Sequence, residues 1–308
     1  MLAAFLLAAL VVAGASGRLL VPLGCAVGLW VLGTIDDRVA VAPKWRLLAE
    51  IGAGAALFAA GFGWDTNFLG FADLLLTAVS VVIAVNAFNL MDNLDGACST
   101  VTAVAAAGIG VLAALKGHVA IAVLASALAG ACVGFLPFNL ARPARIFLGD
   151  GGSMPAGFLA AALAIAVSRH DPDGNAGVLV GALLVGLPIF DATLVSFSRT
   201  RRGVSVVTGG RDHLTHRLLL VLGSPRRVAV ALALLQGLLS GLAILASEVS
   251  PITPAAVGLG VFLVAILAIL MLDKPRWRPA GMAVAGPDQF AQLADERLPT
   301  EPARFKEA

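Results

Sequence analysis

Apolar runs of about 16–22 residues, each almost free of charge, recur from one end of this chain to the other. A run of that length suits a helix crossing ~30 Å of hydrocarbon, which needs about 17–25 residues. Ten can be read, at roughly 1–17, 19–35, 46–63, 73–91, 98–115, 118–139, 153–168, 176–197, 228–247 and 253–272. They are continuously apolar rather than alternating, which favours helices over a barrel. The expected class is therefore all-α, a polytopic integral membrane protein of about ten transmembrane helices. Composition agrees: 59% of residues are hydrophobic and 13% charged, against about 45–50% and about 25% in soluble domains.

The start lacks the basic residues and small-residue cleavage site of a signal peptide, so the first run is expected to be retained as a span. Cys25, Cys98 and Cys132 lie far apart in or beside apolar runs and read as buried thiols, neither a disulfide framework nor a zinc site. The net charge of +2 carries little information, and no nucleic-acid partner is expected. No repeat at a fixed period is visible. Residues 1–272 are expected to form one helical membrane domain, and 273–308, rich in Pro and charge, a disordered cytoplasmic tail.

Lys and Arg in loops set orientation. The loops at 36–46, 91–98, 140–152 and 198–227, with the tail, hold 18 of the 21 basic residues. That side should be cytoplasmic, with both termini on it, in a plasma or inner membrane. Residues 63–72 and 169–175 then become turns on the opposite face.

Four polar fragments break the oily pattern, all on the basic side. Acids next to hydrocarbon are costly and persist mainly where they do chemistry or move ions. Adjacent Asp36 and Asp37 suit a hard cation or the removal of a proton, and Arg38, Lys44 and Arg46 follow as anion partners. The bland alternative is a solvated loop whose charges fix topology. Asn86, Asn89 and Asp92 recur at i, i+3 and i+6 and so lie near one helical face. Asp95 extends the stripe if the helix continues, and Gly96 permits a close turn. A polar stripe between helices is the simpler alternative. Gly149-Asp150-Gly-Gly-Ser153 has the glycines and donors of a phosphate loop, though Gly-Asp-Gly is also common turn chemistry. His213 and His216 lie beside Arg211, Asp212 and Arg217. Two histidines three apart can ligate a transition metal, but the oxygen-rich company favours Mg²⁺, with Mn²⁺ as the substitute. Asp191 falls within a span, where it serves the site or only hydrogen-bonds Thr193 or a neighbouring helix.

Taken in order, these fragments resemble the polyprenyl-phosphate N-acetylhexosamine-1-phosphate transferases, and the likeness runs from Gly33 to about Arg227. Asp36-Asp37 is similar to the family's paired aspartates, and Asn86 through Gly96 to its Asn-x-x-Asn-x-x-Asp-Gly-x-Asp-Gly signature. Phe147 through Ser153 resembles its Gly-Asp-x-Gly-Ser loop. Pro188 to Asp191 and Asp212 to Arg217 resemble its Pro-x-x-Asp span and histidine loop. This chain departs at Asn93, where the signature has glycine, and at Thr215, where members often carry histidine. It also opens at what resembles the family's second span; either an upstream start is expected or one wall of the lipid groove is absent.

The resemblance implies transfer of N-acetylhexosamine-1-phosphate, GlcNAc-1-phosphate first, from a UDP-sugar to polyprenyl phosphate in the lipid bilayer. The products are polyprenyl-diphospho-sugar and UMP. It implies Asn89 and Asp150 as Mg²⁺ ligands, and Asp36 and Asp37 as the groups that position or deprotonate the lipid phosphate. Lys44 and Arg46 become its anion partners, and Asn86, Asp92 and Asp95 line the substrate and nucleotide pocket. Arg211, His213, His216 and Arg217 fall on the diphosphate-sugar side, and Asp191 and Ser153 are further candidates. A homodimer is the assembly considered. The branch that transfers phospho-MurNAc-pentapeptide carries a longer histidine run, not seen here, and stands as the alternative donor class. CDP-alcohol phosphotransferases share Asp-x-x-Asp-Gly with Asp92 to Gly96, but the remainder of their motif is absent. A transporter with a carboxylate ion-coupling site is the alternative from another class, and a non-catalytic relative a third.

Overall fold

The computed structural model describes residues 1–13, 19–66, 70–169, 175–206, 209–249 and 253–277. Among them are twelve α-helices and no strand. They are α1 (Leu2–Ala13), α2 (Leu20–Val39), α3 (Pro43–Ala59), α4 (Gly70–Met91), α5 (Ala97–Leu115) and α6 (Val119–Asn139). There follow α7 (Asp150–Ser168), α8 (Asn175–Leu184), α9 (Gly186–Arg201), α10 (Leu214–Leu222), α11 (Pro225–Val249) and α12 (Thr253–Leu272). Seven are long and apolar enough to cross a membrane, and the α8–α9 pair adds an eighth if it counts as one span. The expected spans at 1–17 and 46–63 become α1 and α3, of 12 and 17 residues. The protein is a multi-pass, all-helical membrane protein. Most of the tail, 278–308, and most of the turn at 169–175 lie outside the described residues.

Helix α7 is the axis of the bundle. It packs on α2, α4, α5 and α8, and 89% of its spanning window is buried. Its sequence explains this: Gly151, Gly152, Ser153, Gly157 and a run of alanines let neighbouring backbones approach closely. Gly33 of α2 provides the closest approach, since a Cβ there would stand 2.3 Å from the Asp150 carbonyl oxygen. At the other extreme α12 is 6% buried and presents leucine, isoleucine and valine outward, as a lipid-facing helix must.

The run at 176–197, expected as one span, is broken. Helices α8 and α9 meet at an angle of 81° across Val185 (φ −119°, ψ 23°). Pro188 carries no N–H, and Gly186 holds the chain least firmly in a helix, so this is where the ladder fails. The freed groups find a partner in Gln236 of α11, which is fully buried. Its Nε2 donates to the Leu184 carbonyl at 2.9 Å, and its Oε1 accepts from the Leu187 N–H at 3.3 Å. A break at membrane depth is tolerated where protein replaces the lost backbone bonds.

Candidate active site

The ends of α2, α3, α4 and α7 converge on one guanidinium. The chain reverses between α2 and α3 within three residues: Ala40 takes a left-handed conformation (φ 49°) and Pro43 opens α3 at a position where its missing N–H costs nothing. Helix α2 runs past 35 to Val39, so Asp36 and Asp37 sit in its last turns. The Val41 N–H donates to Asp36 Oδ1, pinning the turn. One turn into α3, Arg46 Nη1 lies 2.5 Å from Asp36 Oδ2 and 2.9 Å from Asp150 Oδ2. Its Nη2 donates to Asn89 Oδ1 at 3.0 Å. Asn89 Nδ2 donates to Asp150 Oδ1 at 2.6 Å and to Ser153 Oγ at 3.0 Å. Three oxygens from three separate fragments thus face one positive charge.

Asp37 does different work. Its Oδ1 accepts from the Asp150 N–H at 2.8 Å and its Oδ2 from the Gly151 N–H at 3.0 Å. It therefore satisfies two of the four amides that a helix N-terminus leaves unpaired, where negative charge is favoured. Gly149 (φ 64°) makes this possible, because a Cβ there would stand 2.7 Å from Asp37 Oδ2. Asp37 is nonetheless exposed, and a carboxylate retains further lone pairs for a ligand. Gly149 to Ser153, read as a phosphate loop, is instead the first turn of α7. Its next amides, of Gly152 and Ser153, bond the Gly149 carbonyl, so these four N–H groups are engaged within the protein.

Asp92, just past α4, accepts from the Gly149 N–H. Burial, with the charges of Asp150, Asp37 and Asp95 adding to it, pushes its carboxyl up to about 7. Burial likewise raises Asp95. Asn86 lies a turn deeper than Asn89 and donates to Glu50 Oε2 and to the Val82 carbonyl. Glu50 escaped the sequence reading. It is fully buried, and its Oε1 has no hydrogen-bond partner among the described residues. The signal was there, an acid four residues beyond Arg46 inside an apolar run, the kind of residue that a membrane tolerates only for cause. Lys44 is exposed, its Nζ 5.4 Å from the Trp45 ring.

The histidine loop forms a second cluster on the same end. Asp191 Oδ2 lies 2.8 Å from His213 Nδ1, and Asp191 Oδ1 accepts the Leu214 N–H at 2.6 Å, so α9 fixes the start of α10. His216 is half-buried. Desolvation first, then the nearby His213 and Arg211 charges, lower its pKa, leaving it neutral at pH 7. Arg211 is exposed, whereas Arg217 is fully buried. Arg217 donates to the Asp212 carbonyl at 2.9 Å, to the Leu272 carbonyl and to Ser198 Oγ. These bonds make it a strut between α10 and the end of α12. Asp212 takes a two-pronged bond from Arg199 at 2.8 and 2.6 Å and another from Arg202 at 2.8 Å. Burial raises its carboxyl, but Arg199 outweighs this and holds it below its ordinary value. Thr215 Oγ1 donates to Asn93 Oδ1. The two positions that depart from the resembled pattern are therefore bonded to each other, and they join the two clusters.

Among the described residues no group of three or more His, Cys, Asp or Glu converges as a metal cage. The donor set is still chemically apt for Mg²⁺, which takes one or two protein carboxylates and otherwise keeps water or substrate oxygens. Asp36, Asn89 and Asp150 offer oxygen alone, aimed at a cation.

Residues 19–168 match the family model described as glycosyl transferase family 4. The chain is 34% identical over 269 residues to a decaprenyl-phosphate N-acetylglucosaminephosphotransferase of Mycobacterium tuberculosis, covering 78% of this chain and 66% of that protein. It is 27% identical over 271 residues to an undecaprenyl-phosphate alpha-N-acetylglucosaminyl 1-phosphate transferase of Escherichia coli, covering 84% of this chain and 73% of that one. It thus spans just under two thirds of the mycobacterial relative's length.

Proposed function

The chain belongs to glycosyl transferase family 4, and from that premise we propose that it transfers GlcNAc-1-phosphate from UDP-GlcNAc to a polyprenyl phosphate, releasing UMP. The observation that carries this is the convergence of Asp36, Asn89 and Asp150 on Arg46 at one end of the bundle, with exposed Asp37 and Lys44 beside it. Such a site suits a reaction between two anions. A phosphate oxygen of the lipid attacks the β-phosphorus of the nucleotide sugar. The new P–O bond forms as the bond from that phosphorus to the bridging oxygen breaks, and the electron pair leaves with UMP.

Asp37, oriented by the α7 amides, takes the remaining proton of the lipid phosphate. Arg46 and Lys44 offset its charge. Asn89 and Asp150 would hold Mg²⁺, which when bound neutralises the diphosphate and the charge building on the leaving phosphate. Asp92 and Asp95 face the nucleotide. His216, neutral at pH 7, and Arg211 lie toward the diphosphate-sugar, with His213 held in place by Asp191. The lipid chain stays in the bilayer, and the site opens to the cytoplasm, where nucleotide sugars are made. The reading is tested by mass analysis of products from purified protein, undecaprenyl or decaprenyl phosphate and a panel of UDP-sugars. Polyprenyl-diphospho-GlcNAc with equimolar UMP supports it. Product from UDP-MurNAc-pentapeptide and none from UDP-GlcNAc refutes the donor assignment.

A further inference from the structure

Arg46 stands in the place a metal ion would be expected to take. The three oxygens that its guanidinium engages, Asp36 Oδ2, Asn89 Oδ1 and Asp150 Oδ2, are the lone pairs facing the centre of the cluster. The outer atoms of the same side chains are committed elsewhere. Asp36 Oδ1 receives the Val41 amide, Asp150 Oδ1 receives Asn89 Nδ2, and Asn89 Nδ2 is shared between Asp150 and Ser153. Within this trio, each carboxylate oxygen turned away from the centre already accepts one hydrogen bond. A guanidinium and a divalent ion compete for those oxygens, because both approach them from the centre of the cluster and the two charges repel at short range.

We propose that Arg46 is a resident counter-cation which exchanges with the metal: it holds the three oxygens in the substrate-free protein, and releases them when the metal arrives with the nucleotide diphosphate. The inference rests on the metal-assisted transfer proposed above. Its side chain is suited to the exchange. It springs from the first turn of α3, is 20% exposed, and can swing on its flexible stem without moving a helix. The freed guanidinium then pairs with phosphate, for which its planar fork is well matched. Two consequences follow. The cluster stays partly neutralised and ordered when empty, because the guanidinium offsets the repulsion between Asp36 and Asp150. Metal alone binds weakly, since it must displace a charged partner, and the substrate's own negative charge draws that partner away.

The test measures Mn²⁺ binding to the full-length protein in detergent or nanodiscs by the electron paramagnetic resonance signal of free Mn²⁺, with no nucleotide present. Arg46→Gln is expected to bind Mn²⁺ at least about tenfold more tightly than wild type while its turnover falls. Adding Asp150→Asn to Arg46→Gln is expected to abolish the gain, placing the ion at this cluster. Arg46→Lys keeps a charge but loses the fork, and intermediate affinity is expected, which gives a second reading if the glutamine variant does not fold. An unchanged or weaker Mn²⁺ affinity in a folded Arg46→Gln or Arg46→Lys protein overturns the exchange and makes Arg46 a fixed part of the site. A gain that survives Asp150→Asn overturns it too. Absence of Mn²⁺ binding from every one of these proteins contradicts the metal-assisted reading itself.

Discussion

Replacing Gly33 by alanine should separate two halves of the site without touching a charged group. A Cβ at this position would lie 2.3 Å from the Asp150 carbonyl oxygen, 2.5 Å from its carbonyl carbon and 2.7 Å from the Gly151 nitrogen. All three are backbone atoms of the first turn of α7, so no side chain can rotate away. Ordinary contact begins near 3.5 Å, and α2 and α7 must therefore part by about 1 Å at this level. The bonds from the Asp150 and Gly151 amides to Asp37, now 2.8 and 3.0 Å, would lengthen beyond hydrogen-bond range, and the Asp36–Asp150 pairing through Arg46 would open with them. Overpacking of this kind costs about 1–3 kcal/mol of stability, which a bundle held along the whole of α7 can absorb. A displacement of about 1 Å at reacting groups costs ~10²-fold in rate. Steady-state turnover of UDP-GlcNAc by the purified variant, beside its melting temperature, provides the assay. Gly28→Ala is the matched control on the same helix, since nothing lies within 4 Å of its added Cβ. Wild-type turnover in Gly33→Ala, or an equal loss in Gly28→Ala, would refute the claim that close approach of α2 and α7 sets the site.

Three further outcomes are expected. Asn93→Gly and Thr215→Val, which each remove one end of the link between the clusters, should be non-additive, with a coupling of about 0.5–3 kcal/mol in a double-mutant cycle on kcat/KM; additivity would mean the bond carries nothing. Burial raises Asp92 from 3.8 to about 7, so its contribution to the stability of metal-free protein is complete below about pH 4 and is lost as pH rises through about 7. Asp92→Asn should flatten the fall in melting temperature between about pH 4 and 7, and an unchanged slope would assign that fall to other groups. Gln236→Leu leaves the Leu187 N–H and Leu184 carbonyl unpaired, at about 1–3 kcal/mol each; the melting temperature should drop well below that of wild type, and no change would show that the break needs no support.

The helical class and the gathering of the polar fragments at one end were legible because both follow from where charge interrupts hydrophobicity. Spacing alone put Asn86, Asn89 and Asp92 on one face, and the fold sends that face towards Asp150 and Asp36. The α8–α9 break was hidden, since hydropathy averages over a run and is blind to its direction. The residue that stabilises the break, Gln236, lies 49 and 52 residues from its two partners in sequence. Arg217 could not be told from an exposed ligand-binding arginine, because its partners, Leu272 and Ser198, are distant neighbours with no motif of their own. The capping role of Asp37 depends on Gly149 adopting positive φ, and Gly-Asp-Gly in sequence is equally a loop.

Whether these fragments form one metal-assisted transfer site is decided by following labelled GlcNAc-1-phosphate from UDP-GlcNAc onto undecaprenyl phosphate with purified protein, with Mg²⁺ or with chelator, alongside Asp37→Asn and Asp150→Asn. Labelled lipid and UMP that require Mg²⁺ and disappear in both folded variants are the result predicted. Transfer that persists in chelator, or at wild-type rate in Asp150→Asn, would contradict it.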